Sequence, residues 1–373
     1  MSAASETKRI LIVRLSSLGD VIQTLPMLAA IRRSFPRAVI GWAIDAELVA
    51  AIAGHPDLDT IHPCPRHGRG RRRWPQLIDE MLEFAAEIRA ASYDVSIDAQ
   101  GLLVSAMIPF VAGIKRRVGF GHRRELSHFF YTEKYLSNGE YFAPDRHHSE
   151  HMLALARVLG CETDGCQPSL PEVPSQVRAA VNAMLERALG SDAPLIAIAP
   201  GTRWASKHWP VEFWSRLLND IVTNTPAKII LIGSGSEAAI ADQLLQALPQ
   251  SGSHRVLNLT GKTSLLELFA LLGRVPLTIA PDSAPLHIAG AAGCAHLIGI
   301  YGPTPASRTG PLGVSDIRLL ASDPWLPCQP CRRPRCRYGT NQCMRNVTPP
   351  QVFAAVQDAL AALDGGIRPL PKR

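Results

Sequence analysis

At 373 residues and 46% hydrophobic content the chain is too long for one ordinary domain and apolar enough for two buried cores, which excludes large-scale disorder. The 39 basic and 32 acidic residues leave a formal charge of +7, a modest excess whose clustering matters more than its total. No stretch reaches the roughly 20 apolar residues needed to cross a bilayer, and the polar opening before a short apolar run at residues 10–13 lacks the chemistry of a secretory signal, so a cytoplasmic protein is expected.

In chain order, a β-branched run at residues 9–14, an amphipathic segment at 21–33 and a second run at 39–44 predict a βαβ opening. A strand at 93–97, a helix at 102–110 and a short strand at 117–120 follow, the last leading into a basic loop. Residues 102–114 are apolar, but Pro109 and Gly113 suit a buried helix better than a membrane span. A polar, Pro-rich stretch at 167–175 interrupts the pattern and marks a boundary.

After an intervening helix, strands are predicted at 194–199, 228–232, 255–257, 277–280 and 296–301, and helices at 237–247, 265–272 and 284–292. The expectation is an α/β protein of two Rossmann-like, doubly wound domains facing a cleft, residues 1–175 and 176–350. A helix at 351–363, with its tail to 373, is expected to pack back on the first half.

Chemistry-bearing residues fall at strand ends. Ser16-Ser17-Leu18-Gly19-Asp20 joins the first strand to the first helix and lacks the G-x-G-x-x-G of a dinucleotide fold. A sugar hydroxyl needs a base to take its proton as a new bond forms, and Asp20 is a carboxylate in a suitable place. Asp and Ser are also the preferred helix caps, so a capping role stands beside the catalytic one.

In the second half Pro281-Asp282-Ser283-Ala284-Pro285-Leu286-His287 ends a strand and opens a helix, whose free N–H groups suit a diphosphate. Asp282 would either cap that helix or bond sugar hydroxyls. Thr202 and Lys207 offer a hydroxyl and a point charge to a departing nucleotide, and Glu237 a carboxylate to ribose hydroxyls.

The string Ile10-Leu11-Ile12-Val13-Arg14-Leu15-Ser16-Ser17-Leu18-Gly19-Asp20-Val21, with Thr24 and Pro26, resembles the opening of the family 9 glycosyltransferases, the lipopolysaccharide heptosyltransferases. Asp94-Val95-Ser96-Ile97-Asp98-Ala99-Gln100-Gly101-Leu102, Lys207-His208-Trp209-Pro210 and Tyr301-Gly302-Pro303-Thr304 are similar to later signatures, in matching order, with heptosyltransferase I the nearest likeness.

The resemblance implies a GT-B fold, an ADP-heptose donor and inversion in a single in-line displacement. It makes Asp20 the general base, Thr202 and Lys207 the phosphate binders, Glu237 the nucleoside contact and Asp282 the donor-sugar contact. Ser283, Ala284 and His287 fall in the phosphate-binding helix turn, where Ala284 replaces the family's usual Gly and Pro285 follows it. No catalytic cofactor is implied.

The acceptor so implied is an acidic glycolipid like Kdo-lipid A, reached at the cytoplasmic face of the inner membrane, with peripheral membrane contact left open. Ser16, Ser17 and Gly19 beside the base, and the basic loops holding Arg71, Arg72, Arg73, Arg123 and Arg124, are the acceptor candidates. A solvated face or a nucleic-acid patch is the other use of such runs, but aromatic interleaving is sparse and no nucleic-acid partner is expected.

Eight cysteines in a reducing compartment argue against a disulfide framework. Cys328, Cys331, Cys336 and Cys343 crowd together, and four thiolates suit one structural zinc or iron, or remain reduced structural thiols. His147, His148 and His151 share a helical face without a clear ligand partner. Asp57-Leu58-Asp59 reads as a turn into a strand.

Overall fold

The computed structural model describes residues 8–65, 74–121, 124–135, 146–314 and 316–364. It divides into two compact units, Met1–Glu172 and Val173–Arg373.

The first unit runs β1 (Arg9–Val13), α1 (Leu18–Ser34), β2 (Val39–Asp45), β3 (Thr60–Cys64), α2 (Trp74–Ala90), β4 (Val95–Asp98), α3 (Leu103–Val111), β5 (Arg116–Phe120), β6 (Glu133–Tyr135) and α4 (His148–Val158). Its six strands are all parallel, in the order β3-β2-β1-β4-β5-β6. Central β1 is apolar because both sheet faces are covered, and Ile10 to Val13 are fully buried. Leu11 and Val13 pack with Phe84 and Ile88 of α2 and Ile108 of α3. Helix α1 is buried around most of its girth, from Val21 through Leu28, and packs on α4.

The second unit contains α5 (Ser175–Leu189), β7 (Leu195–Ile198), α6 (Val211–Asn224), β8 (Lys228–Leu231), α7 (Ala238–Gln246), α8 (Gln250–Ser253), β9 (Val256–Asn258), α9 (Leu265–Arg274) and β10 (Leu277–Pro281). It continues through α10 (Ala284–Ala291), β11 (His296–Ile300), α11 (Ala306–Thr309), β12 (Asp316–Leu320), α12 (Gln342–Arg345) and α13 (Pro349–Asp364). The sheet order, β12-β11-β10-β7-β8-β9, repeats the first unit's winding, again all parallel.

Helix α13 commits Val352, Val356 and Leu360 to the second unit's core beside Trp209, Trp214 and Leu217. Its apolar stripe matches α6, on which it packs.

Both sheets reverse winding at one point, between β1 and β4 in the first unit and between β7 and β10 in the second. Loops leaving the carboxyl ends of such neighbours run to opposite sides of the sheet and open a crevice. Ser16 to Asp20 leave β1, Asp98 ends β4, Thr202 and Lys207 follow β7, and Asp282 follows β10.

Candidate active site

In the first unit Ser17 caps α1 and Asp20 stands three residues on. The Asp20 carboxylate accepts from the Ser17 backbone N–H at 3.1 Å and hydroxyl at 2.8 Å, so the capping role foreseen for it is real. The same oxygen, Oδ2, meets Arg14 Nη2 at 3.0 Å, while Oδ1 faces His148 Nε2 at 3.8 Å. Burial alone would raise this carboxyl. The Arg14 guanidinium, then His148 and Ser17, outweigh it and hold Asp20 well below the usual carboxylate range. With 39% of its side-chain surface accessible, Asp20 is an ionised carboxylate with one oxygen anchored and the other turned toward a histidine.

Strand β4 fixes this loop from beneath. Gln100 Oε1 accepts from the backbone N–H of Leu15 at 2.7 Å and Ser16 at 3.2 Å. Asp98 is buried and accepts from Gln100 and Gly101 N–H, the Ser105 hydroxyl and the Tyr131 hydroxyl, at 2.6 to 3.0 Å. Burial pushes its carboxyl up despite those four donors. Arg14 is itself held by the Ala99 carbonyl at 2.5 Å.

A cavity of about 200 Å³ opens beside this loop, lined by Leu15, Ser16, Asp45, Cys64, Gln100 and Glu125 among others. Asp45 Oδ1 is buried there and has no hydrogen-bond partner among the described residues. Burial, reinforced by the Asp45 charge, pushes the Cys64 thiol up to about 12, so that thiol stays protonated.

Among the acceptor candidates, Ser16 lines the cavity and Ser17 serves the Asp20 network. Gly19 lies inside the first turn of α1 with φ that is not positive. Arg71, Arg72, Arg73 and Arg123 lie outside the described residues, and of Arg124 only the backbone is described.

In the second unit Lys207 and Asp282 form an ion pair, Nζ to Oδ2 at 2.7 Å, with both side chains largely buried. The same Asp282 oxygen accepts from Thr304 at 2.5 Å and Thr309 at 3.0 Å, and Oδ1 lies 3.6 Å from His287 Nε2. Burial acts upward on Asp282; Lys207 first and His287 next outweigh it and hold the carboxyl well below its ordinary value.

Asp282 is therefore not the cap of α10. Ser283 occupies that position, and its hydroxyl is buried with no partner among the described residues. Ala284 and Pro285 form the first turn, where Pro is well suited and the leading N–H groups have no intrahelical acceptor. Lys207 Nζ also sits 4.8 Å from the centroid of the Trp204 ring, and the Thr202 carbonyl accepts from His208 Nε2 at 2.8 Å, which ties the β7 loop to itself.

Glu237 Oε2 accepts from Ser234 N–H at 2.6 Å and its hydroxyl at 3.0 Å. Its other oxygen lies where a side chain on Gly201 would stand, only 2.0 Å from an ideal Cβ there. Gly201 thus admits the Glu237 carboxylate to the end of β7.

Among the described residues no three His, Cys, Asp or Glu are disposed to hold a metal. Cys343 belongs to the apolar core, and burial, with the neighbouring thiols Cys331, Cys328 and Cys336, pushes it up to about 11. His147 caps α4 through Ser149 N–H, and Asp59 accepts from Ile40 N–H and Arg32, so these serve the fold.

Residues 81–341 match the family described as "Glycosyltransferase family 9 (heptosyltransferase)". The chain belongs to glycosyltransferase family 9. Lipopolysaccharide heptosyltransferase 1 of Pseudomonas aeruginosa is 28% identical over 335 residues, 88% of each chain. Lipopolysaccharide heptosyltransferase 2 of Salmonella typhimurium is 24% identical over 362 residues, 95% of this chain and 99% of that one.

Among solved structures, the Escherichia coli ADP-heptose lipopolysaccharide heptosyltransferase II superposes with a TM-score of 0.77 at 21% identity, covering 95% of this chain and 99% of that one. An E. coli heptosyltransferase bound to ADP superposes at 0.70 with 23% identity, covering 94% and 99%. The family 9 chain is therefore a glycosyltransferase of GT-B fold.

Sequence reasoning on family 9 motifs found Asp20, Lys207 and Asp282. It missed Arg14 and His148 as the charges around Asp20, Asp45 in the cavity, and Thr304 and Thr309 around Asp282. Arg14 and Thr304 lay within the quoted signatures, and His148 in a histidine cluster read only for metal.

Proposed function

We propose that the protein moves heptose from ADP-heptose to the Kdo or inner-core region of a lipopolysaccharide precursor. The acceptor hydroxyl oxygen attacks the anomeric carbon as the bond from that carbon to the diphosphate oxygen breaks. The electron pair leaves with ADP, configuration inverts, and the hydroxyl proton passes to Asp20 Oδ1. The observation that carries this reading is the divided Asp20 carboxylate. One oxygen is immobilised by Arg14 and Ser17, and the other is left to a substrate proton beside a cavity large enough to receive part of a sugar.

A base held so far below the usual range takes a proton only when the hydroxyl has become acidic through bond formation, which suits a concerted displacement. On the donor side, the unpartnered Ser283 hydroxyl and the first-turn N–H groups of α10 support diphosphate docking. Lys207, fixed by Asp282, supplies the opposing charge, with Thr202 beside it on the same loop. Glu237, admitted by Gly201, takes the ribose hydroxyls. This chemistry gives the cysteines no step, and the reading places the protein on the cytoplasmic side of the inner membrane.

A later core heptose is the second reading for the acceptor. Among the described residues the cavity beside Ser16 is lined by Asp45 and Glu125 and by no cation, which favours neutral hydroxyls over the carboxylate of Kdo. Mass spectrometry after incubation of ADP-heptose with Kdo-lipid A, or with a heptosylated core, decides between them. Addition of one heptose to Kdo-lipid A supports the first reading, addition only to the heptosylated core supports the second, and addition to neither overturns both.

A further inference from the structure

Among the described residues of the first unit, Leu82 of α2 is 52% exposed, and four further large apolar side chains stand in solvent on neighbouring elements: Phe129 is 72% exposed, Leu126 59%, Phe110 50% and Met107 40%. Scattered apolar residues are ordinary on a protein surface. These four, however, lie on two elements packed against each other, α3 and the turn Arg124–Phe130, and the Phe110 ring meets Phe130 edge-on at 5.2 Å. Glu125 and Leu126 both adopt left-handed backbone, with φ of 50° and 62°, a conformation unfavourable for side chains of this kind. The turn thus holds Leu126 outward.

Three basic groups border this face, against one exposed acidic residue of the turn, Glu125. The Arg117 guanidinium lies 5.3 Å from the Phe110 ring centroid and donates to the Phe130 carbonyl at 2.6 Å, which fixes the cation against the apolar surface. Lys115 is exposed just beyond α3, and Arg89 reaches the end of that helix through the Val111 carbonyl at 2.7 Å. Aromatic side chains bordered by Lys and Arg match the interface of an anionic bilayer, where the rings enter the headgroup region and the cations meet lipid phosphates.

The same two elements build the acceptor cavity. Leu102 and Val104, at the start of α3, line it, as does Glu125, immediately before Leu126. We propose that the apolar face of α3 and the turn Arg124–Phe130 is a docking surface for an anionic membrane, seating the neighbouring cavity at the lipid headgroups. Among the described residues no helix is long and apolar enough to cross a membrane, so the attachment is to the surface. Its purpose, delivery of a lipid-linked acceptor, rests on the proposed transferase reading, but membrane binding itself does not.

Sedimentation of the full chain with vesicles of phosphatidylethanolamine and phosphatidylglycerol, or of phosphatidylcholine alone, tests the proposal. Wild type is expected to pellet with the anionic vesicles. Phe110→Ser with Phe129→Ser should weaken binding by about tenfold or more, and Lys115→Glu by about fivefold on anionic vesicles only. Trp325→Ser, an exposed aromatic of the second unit, should leave binding unchanged.

Circular dichroism establishes that the variants are folded, and Met107→Gln with Phe129→Ser serves if the first pair is not. The proposal is overturned if wild type stays in the supernatant, if it self-associates through this face instead, or if the apolar variants pellet like wild type. Transfer to a deacylated acceptor should stay within about twofold in the double variant while transfer to a vesicle-embedded one falls by about tenfold. Wild type that transfers to neither acceptor defeats the transferase reading alone, and the sedimentation result still decides this one.

Discussion

Arg14 and His148 take opposite oxygens of Asp20, the guanidinium at 3.0 Å from Oδ2 and the imidazole at 3.8 Å from Oδ1. The first contact is a strong ion pair with a nearly buried arginine; the second leaves room for a substrate proton to be shared. This asymmetry sets the pH behaviour of the site.

Because Asp20 is held well below the usual range, it is ionised throughout the neutral and mildly acidic region, and the acid limb of kcat/KM in wild type should not come from it. Arg14→Gln removes the largest downward influence and leaves burial, which acts upward. An acid limb should then rise by about 1 to 3 pH units, with activity lost as pH falls through it. Profiles of the two proteins that superimpose down to the lowest pH at which both remain folded would exclude Asp20 as the titrating base.

Lys207→Ala should weaken ADP binding by about tenfold or more, measured by calorimetry, because a charge opposing the diphosphate is lost. It should also destabilise the second unit by up to about 3 to 5 kcal/mol, since Asp282 is left as a buried anion without its lysine. Lys207→Met combined with Asp282→Asn separates the two effects: thermal stability should return while ADP affinity does not. Recovery of both would show that Lys207 acts only in folding.

Gly201→Ala should displace Glu237, because the new methyl group would occupy the position of its carboxylate. ADP affinity should fall by roughly 1 kcal/mol, and Glu237→Ala should fall similarly. If both act through one contact, the double variant is no weaker than either single one. Additive losses would mean that Gly201 serves something other than Glu237.

Much of this fold could be read directly because parallel strands covered on both faces are nearly continuous apolar runs, as in β1, β7 and β10. Elements of mixed character escaped. β6 is three residues long and only partly buried, β12 places charged Asp316 and Arg318 between apolar residues, and α2 follows a run of arginines that drew attention to binding rather than to structure.

The site was legible where a strand end coincides with a signature residue, as at Asp20, Lys207 and Asp282. Its partners come from distant parts of the chain. His148 meets Asp20 from α4, and Thr304 and Thr309 close on Asp282 from beyond β11. No local spacing encodes such meetings; they follow from the sheet order. The packing of α13 on α6 escapes local reading for a related reason, since an amphipathic stripe declares that it will be buried without naming the surface that buries it.

The most direct measurement is steady-state turnover of Asp20→Ala with ADP-heptose and the acceptor that wild type uses, alongside ADP-heptose affinity by calorimetry. Donor affinity within about twofold of wild type, with kcat lower by about 10² to 10⁴, is the result expected when only the proton acceptor has been removed. Turnover equal to wild type would contradict the assignment of Asp20 as the base.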